Sequence, residues 1–364
     1  DYLVPFMYIL AISGYGLMSY IPDLLGVDSR LATVPYWALV DFIALIIIVV
    51  SWHKKLHEAG GAAFRFFMFF WFIYLIRVIY SVTVTPPHLL GREDYIYLTF
   101  GIGVCFLPSL SLFTAPSSRA LKWLPNILCL TLSIVCLMSI GNMQIYQIGG
   151  RLWANSVFNA ISLGHVAVSL SIVSLFNLFF ETNEKRWWHN ILYVASLFLS
   201  IYVLLSAGSR GPLVAILFTI PLCLFATANR SRISHYIKMV LLILIVASTT
   251  PLFLEDVTHS GGSITQRVTY LDSTSVTDDI RFLLLEESMR EFIKNPFIGS
   301  SLDIPGLGYP HNTVAEAFIA TGLLGGIPFL AILTIGIVSA FRLFKSKSPN
   351  SWIGLLFIQY LIAG

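Results

Sequence analysis

The sequence predicts an all-α polytopic membrane protein of roughly eleven transmembrane helices with a partly helical extracytoplasmic loop, and three observations carry that prediction. First, 57% of the 364 residues are hydrophobic and 11% are charged, with a mean hydropathy of +0.81. That leaves too little polar surface to clothe a soluble protein of this size, so lipid is the solvent. Second, the apolar residues fall in runs of about 17–25, the length that crosses a bilayer as a helix. In hydrocarbon each backbone N–H and C=O must be satisfied within its own segment, which a helix does. Third, the sequence lacks the alternating segments of about ten residues that a transmembrane barrel requires.

In chain order the runs predict helices near 2–21, 33–52, 62–85, 95–113, 123–141, 160–180, 190–207, 212–228, 236–254 and 314–341, with a truncated one from 351. They group as transmembrane helices over residues 1–254, an extracytoplasmic loop over 255–312 with an amphipathic helix about 278–294, and the remaining helices over 313–364. The chain starts at Asp1 without a Met and stops at Gly364 inside an apolar run too short to span, which reads as a fragment. Cys105, Cys129, Cys136 and Cys223 all lie inside apolar runs. They are expected as small core residues, not as a disulfide framework or metal site.

Orientation follows from the short loops, because Lys and Arg resist translocation. One set of loops holds Lys54, Lys55, Arg119, Lys122, Lys185, Arg186, Arg230, Arg232, Lys238, Arg342, Lys345 and Lys347; the opposite set holds Arg30, Arg92, Arg151 and Arg210. Twelve against four puts the first set in the cytoplasm and the loop 255–312 outside. The outer face then keeps arginines, the residue suited to bidentate binding of phosphate, where the insertion rule disfavours them.

Position separates these arginines. In Ser209-Arg210-Gly211-Pro212 only a few residues join two spans, and Pro212 fits the first turn of the second helix. Arg210 is therefore expected at the membrane edge beside a helix N-terminus, where free N–H groups and the helix dipole favour an anion. In the loop, Ser275 with Asp278 matches a capping box, Phe282, Leu285, Met289, Phe292 and Ile293 share a helix face, and Asn295-Pro296 stops the helix. Arg281 sits in its first turn. Arg290 has Glu286 and Glu287 at helical spacing and is expected to pair with them, although it also belongs to the candidate substrate-binding set. Arg281 has no partner four residues on, but Asp278 and Asp279 lie close to it.

The loop ends in Gly308-Tyr309-Pro310-His311-Asn312-Thr313, where Thr313 with Glu316 gives a second capping-box match and sets His311 just before a span. A positive helix end favours neutral imidazole, which can accept a hydroxyl proton as a general base. Glu316 is the fallback base. Gly322 and Gly326 read as close helix packing. Asp41 and Arg77 each lie roughly 12 Å below the outer face at 1.5 Å per residue, where they are expected to pair and line an outer cavity. Arg65 is expected to snorkel at the inner edge.

The run His311-Asn312, nine residues, Gly322, two residues, Gly325 resembles the motif of the O-antigen ligase and O-antigen polymerase superfamily of bacterial envelope glycosyltransferases. Ser209-Arg210-Gly211 is similar to the family's arginine turn. Arg281 through Asn295-Pro296-Phe297-Ile298-Gly299 is similar to its loop segment, and the three matches occur in the family's order over roughly residues 200–330. Gly150-Arg151 with Asn159-Ala160-Ile161 resembles an Arg…Asn-Pro-Ile segment of some polymerases, with Ala160 in place of the Pro.

The resemblance implies a GT-C-like multi-pass enzyme of the bacterial inner membrane, with its active site at the periplasmic face. It implies glycan transfer from undecaprenyl pyrophosphate to an acceptor hydroxyl with inversion at the anomeric carbon, needing no metal, nucleotide sugar or other cofactor. Arg210 and Arg281 would hold the diphosphate and His311 would deprotonate the acceptor, which makes these three the expected catalytic set. Arg151, Arg77, Arg290, Asn312 and Glu316 are expected to bind substrate. A polymerase would elongate a carrier-linked repeat unit, the acceptor being the only difference from a ligase, which uses lipid A–core. The short separation of Arg281 from His311, with the Arg151 segment, favours polymerase. Expected partners are the carrier-linked oligosaccharide, the acceptor glycan or lipid A–core, membrane lipid and a chain-length regulator; no nucleic acid is expected. Two other classes fit a chain of this kind. A lipid or solute transporter should show an inverted repeat, and the sequence has no convincing one. A metal-dependent transferase would use Asp278-Asp279 to hold a divalent cation.

Overall fold

The computed structural model describes residues 2–52, 56–84, 100–114, 118–142, 147–148, 151–155, 157–180, 187–227, 280–308, 310 and 312–363. Over these the expectation of an all-α polytopic membrane protein holds. Seven helices are long and apolar enough to cross a membrane: Leu3–Leu25, Arg30–Ser51, Gly61–Val84, Ala120–Gly141, Ala160–Phe179, Trp187–Ala207 and Thr313–Lys345. The shorter apolar helices Gly101–Ser111, Gly211–Thr227 and Ser351–Ile362 match three further expected runs. The expected span 236–254 lies outside the described residues.

We name the elements in chain order. Helix α1 is the stretch Leu3–Leu25, π-wound over Leu10–Gly14. The widened turn is seated by Tyr36, whose hydroxyl donates to the Leu10 carbonyl at 2.8 Å. Helix α2 is Arg30–Trp52 and α3 is Leu56–Val84, broken at Gly61. A π-helical Phe100–Phe106 leads into α4, Leu107–Ser111. Helix α5 is Ser118–Gly141. Then come a two-residue hairpin, Gln147–Ile148 with Arg151–Leu152, and helices α6 Ala160–Phe179, α7 Trp187–Ala207 and α8 Arg210–Thr227. The loop helix α9 is Ile280–Lys294, and α10 Thr313–Lys345 and α11 Ser351–Ala363 close the order.

The apolar core is centred on α6, which is buried along nearly its whole length and packs against α5, α7, α8 and α11. A helix buried on all sides is apolar all round, and its small polar residues are satisfied internally. Ser171 bonds Ser200 at 2.7 Å, and Ser169 donates to Gln359 at 3.0 Å. Cys129, Cys136 and Cys223 are free thiols buried in this core, while Cys105 is free and exposed. A second group of helices gathers around α3, which packs on α10; Phe70 lies 5.1 Å from Phe329 across that seam.

Helix directions bring several segments to one end of the bundle. Helix α11 returns from the far end of α10 after the turn at 346–350, and Tyr360, late in α11, stacks on His165, early in α6, at 5.2 Å. The start of α6 therefore lies toward the end at which α10 begins. The start of α8 joins it, because Gly164 of α6 lies against Pro212: an added Cβ would stand 2.9 Å from the Pro212 ring. The residues just before α6 are tied to the end of α1. Asn155 is fully buried, donates to Ser19 at 2.8 Å and accepts from the Val157 and Phe158 amides.

Candidate functional site

The arginine turn is tight for a reason visible in the backbone. Helix α7 ends at Gly208, whose positive φ of 57° suits glycine, the residue with no Cβ to clash there. Its amide closes the helix on the Leu204 and Leu205 carbonyls. Ser209 follows, its carbonyl accepts from Leu213, and Arg210 is the first residue of α8. The sequence expectation of a helix-opening arginine is met by the backbone. The side chains of Arg210, Arg281 and Arg151 lie outside the described residues, as does His311 entirely.

Arg281 is the second residue of α9, as expected. Asp278, Asp279 and the Ser275 cap lie outside the described residues. Arg290 makes the expected pairs, 2.7 Å to Glu286 and 2.8 Å to Glu287. Helix α9 packs on the beginning of α10. Phe292 meets Phe318 edge-on at 5.7 Å, and Leu284, Ile304 and Ile319 form a small buried cluster. Between the two helices is an apolar pocket of about 390 Å³, with Leu285, Met289, Phe292, Phe318 and Asn312 among its walls. Arg281 lies one turn before Leu285, and His311 directly precedes Asn312.

The start of α10 corrects one expectation. The N-cap is Asn312, not Thr313: its Oδ1 accepts from the Val314 amide at 3.1 Å and the Ala315 amide at 2.9 Å. Asn satisfies two of the donors that a helix start leaves open. The cap moves His311 to the position immediately before it. Asn159 of the Arg151 segment plays the same part for α6, accepting from Ser162 at 2.9 Å.

Gly322 is a second correction. In place of close packing along a continuous helix, α10 breaks there, with φ 59° and ψ −156°, a conformation essentially confined to glycine. The turn Asn295–Gly299 enters the break. Leu323 and Leu324, which lose their helical acceptors, donate to Pro296 at 2.7 Å and Phe297 at 3.1 Å. The Ile319 carbonyl accepts from Ser300 at 2.9 Å. Gly299, φ 82°, completes the interlock, since an added Cβ at either glycine would overlap backbone of the other segment.

The expected Asp41–Arg77 pair is not formed. Asp41 faces the π-helical segment, where a Cβ at Gly103 would come within 2.7 Å of Oδ2, and its Oδ1 is buried without a hydrogen bond. Arg77 instead donates to the Ser300 carbonyl and lies 5.6 Å over the Tyr80 ring. Sequence reasoning missed Glu291 and Ser300. Glu291 is 7% exposed, pairs with Lys294 and accepts from Ser300 Oγ at 3.2 Å. The available signal was a carboxylate one residue off the charged face of α9.

Helices long and apolar enough to cross a membrane, one of them interlocked with a loop helix, together with a shorter apolar helix opened by an arginine turn, mark a multi-pass membrane protein. Residues 195–330 match the family model described as O-antigen ligase. Over these residues the chain is similar to the O-antigen ligase family. Comparison with curated proteins gives no match.

Proposed function

We propose that this protein is a surface-polysaccharide polymerase of the bacterial inner membrane. It transfers a growing glycan from undecaprenyl pyrophosphate to a hydroxyl of a carrier-linked repeat unit at the periplasmic face. The observation that carries the reading is the packing of the Arg281 helix on the helix that Asn312 caps, next to His311, with Arg210 opening a helix at the same end of the bundle. Two arginines at helix starts suit a diphosphate. Their charge is most useful as the glycosidic C–O bond breaks and negative charge grows on the leaving diphosphate.

His311 removes the proton from the acceptor hydroxyl as its oxygen attacks the anomeric carbon, and the diphosphate leaves from the opposite face. Asn312, Glu316 and Arg151 surround this reaction as sugar-binding and anion-binding groups. The apolar pocket beside Asn312 gives an amphiphilic substrate a wall for its hydrocarbon part. Residues of this chain carry each step, and no metal or cofactor enters the scheme.

The second reading, a ligase that transfers the glycan to lipid A–core, is favoured by the description of the matched family. Purified protein incubated with carrier-linked repeats alone decides between them. A ladder of longer glycans is expected for the polymerase. No product without lipid A–core, and product with it, would establish the ligase.

A further inference from the structure

We propose that Ser300, Glu291 and Arg77 form a clamp that positions the Arg281 helix and the His311 segment relative to one another; the inference rests on the transfer reaction proposed above. Ser300 is a three-way junction. Its amide donates to Ile319 of α10 at 2.9 Å, its hydroxyl donates to Glu291 of α9 at 3.2 Å, and its carbonyl accepts from Arg77 of α3. Each of its polar groups therefore goes to a different helix.

The partners are costly choices if packing were their only task. Glu291 is buried on a helix that leaves Glu286, Arg290 and Lys294 exposed. A buried carboxylate costs free energy unless it is paired and hydrogen-bonded, and Glu291 is both. Arg77 stands in an apolar span, where a cation generally marks function and needs a partner. It reaches out of its own helix to a loop carbonyl, and its Nε is buried without a hydrogen bond. An apolar side chain at either position would fill space without tying the loop to α3.

The clamp lies between the proposed reacting groups along the chain. Arg281 is ten residues before Glu291 on the same helix, roughly 15 Å at 1.5 Å per residue. His311 is eleven residues after Ser300, on a segment held midway by buried Ile304. Holding Glu291 to Ser300 fixes the rotation of α9. Holding Ser300 to α3 and α10 fixes where the segment leading to His311 begins. A misplacement of about 1 Å between reacting groups can cost about 100-fold in rate.

The test uses the full chain in lipid nanodiscs, read by amide hydrogen exchange and by turnover of a carrier-linked glycan. The reporting amides are Ser300, Leu323 and Leu324, which cross the interlock. Glu291→Ala, Ser300→Ala and Arg77→Ala are expected to speed their exchange at least about tenfold while α6 amides stay as in the wild type. The same variants should lower kcat about 10- to 100-fold with donor KM within about twofold, because a positioning residue does not touch substrate. Glu291→Gln keeps an acceptor for the Ser300 hydroxyl and should recover most of the rate; Arg77→Met, which fills similar space without a donor, serves if Arg77→Ala does not fold. Wild-type exchange in folded Glu291→Ala and Arg77→Met, or faster exchange with unchanged kcat, overturns the clamp. Faster exchange in variants of a protein that makes no glycan product even as wild type would retain the interlock and reject the transfer reading instead.

Discussion

The amide of Leu323 donates to the carbonyl of Pro296 at 2.7 Å, so the loop turn supplies the acceptor that the break at Gly322 takes away from α10. A helix interrupted in an apolar setting must find other partners for its freed donors and acceptors. Here those partners come from the turn that follows the Arg281 helix, which couples the two halves of the candidate site through backbone alone.

This coupling makes the two glycines unusually sensitive. Gly322→Ala and Gly299→Ala each place a Cβ into backbone of the other segment, at positive φ. Each is expected to lower stability by about 1–3 kcal/mol and to reduce glycan transfer. Gly26→Ala is the control: its φ is also positive, at 62°, but nothing lies within 4 Å of the added Cβ. Thermal unfolding in detergent should rank both interlock variants well below Gly26→Ala.

The cap at Asn312 can be separated from any contact with substrate. Asn312→Ala removes the acceptor of the Val314 and Ala315 amides and should cost about 0.5–2 kcal/mol. Asn312→Asp keeps that acceptor. It should restore the melting temperature, so transfer activity that stays low in Asn312→Asp would identify a sugar contact of the side-chain amide.

Removal of the proposed reacting groups should be far more damaging to rate than to stability. Arg210→Ala and Arg281→Ala are expected to lower kcat by about 100- to 1,000-fold, with partial recovery in the Lys variants, which keep charge but lose bidentate geometry. His311→Ala should lose about 100- to 10,000-fold. Wild-type transfer should also fall on acidification, since protonated imidazole cannot accept the hydroxyl proton. Glycan products resolved by length on gels give all three readouts.

Arg290 offers the contrast. Its side chain is 62% exposed and held by Glu286 and Glu287 at i−4 and i−3, and exposed pairs of this kind contribute little. Arg290→Ala should leave the melting temperature within a degree or so of wild type, about 0.5 kcal/mol at most, and transfer within a few-fold. A 100-fold loss would instead make Arg290 a substrate contact.

By itself the sequence determined the features that depend on local composition and spacing. Runs of apolar residues set the spans, because hydrocarbon leaves a single chain segment no alternative to a helix. Pro212 marked the helix that the arginine turn opens, and Glu286, Glu287 and Arg290 paired as their spacing required. The tertiary structure decided what depends on residues far apart in the chain. Gly322 read as a packing glycine because nothing local shows that residues 296–300 enter the helix there. Asp41 and Arg77, at matching depths, read as a pair, yet each faces a different neighbour. Arg77 meets Ser300, 223 residues away, and Glu291 turns inward because that junction offers it a hydroxyl. Local periodicity specifies which face of a helix is apolar; only the packing of helices specifies which polar group on that face will find a partner.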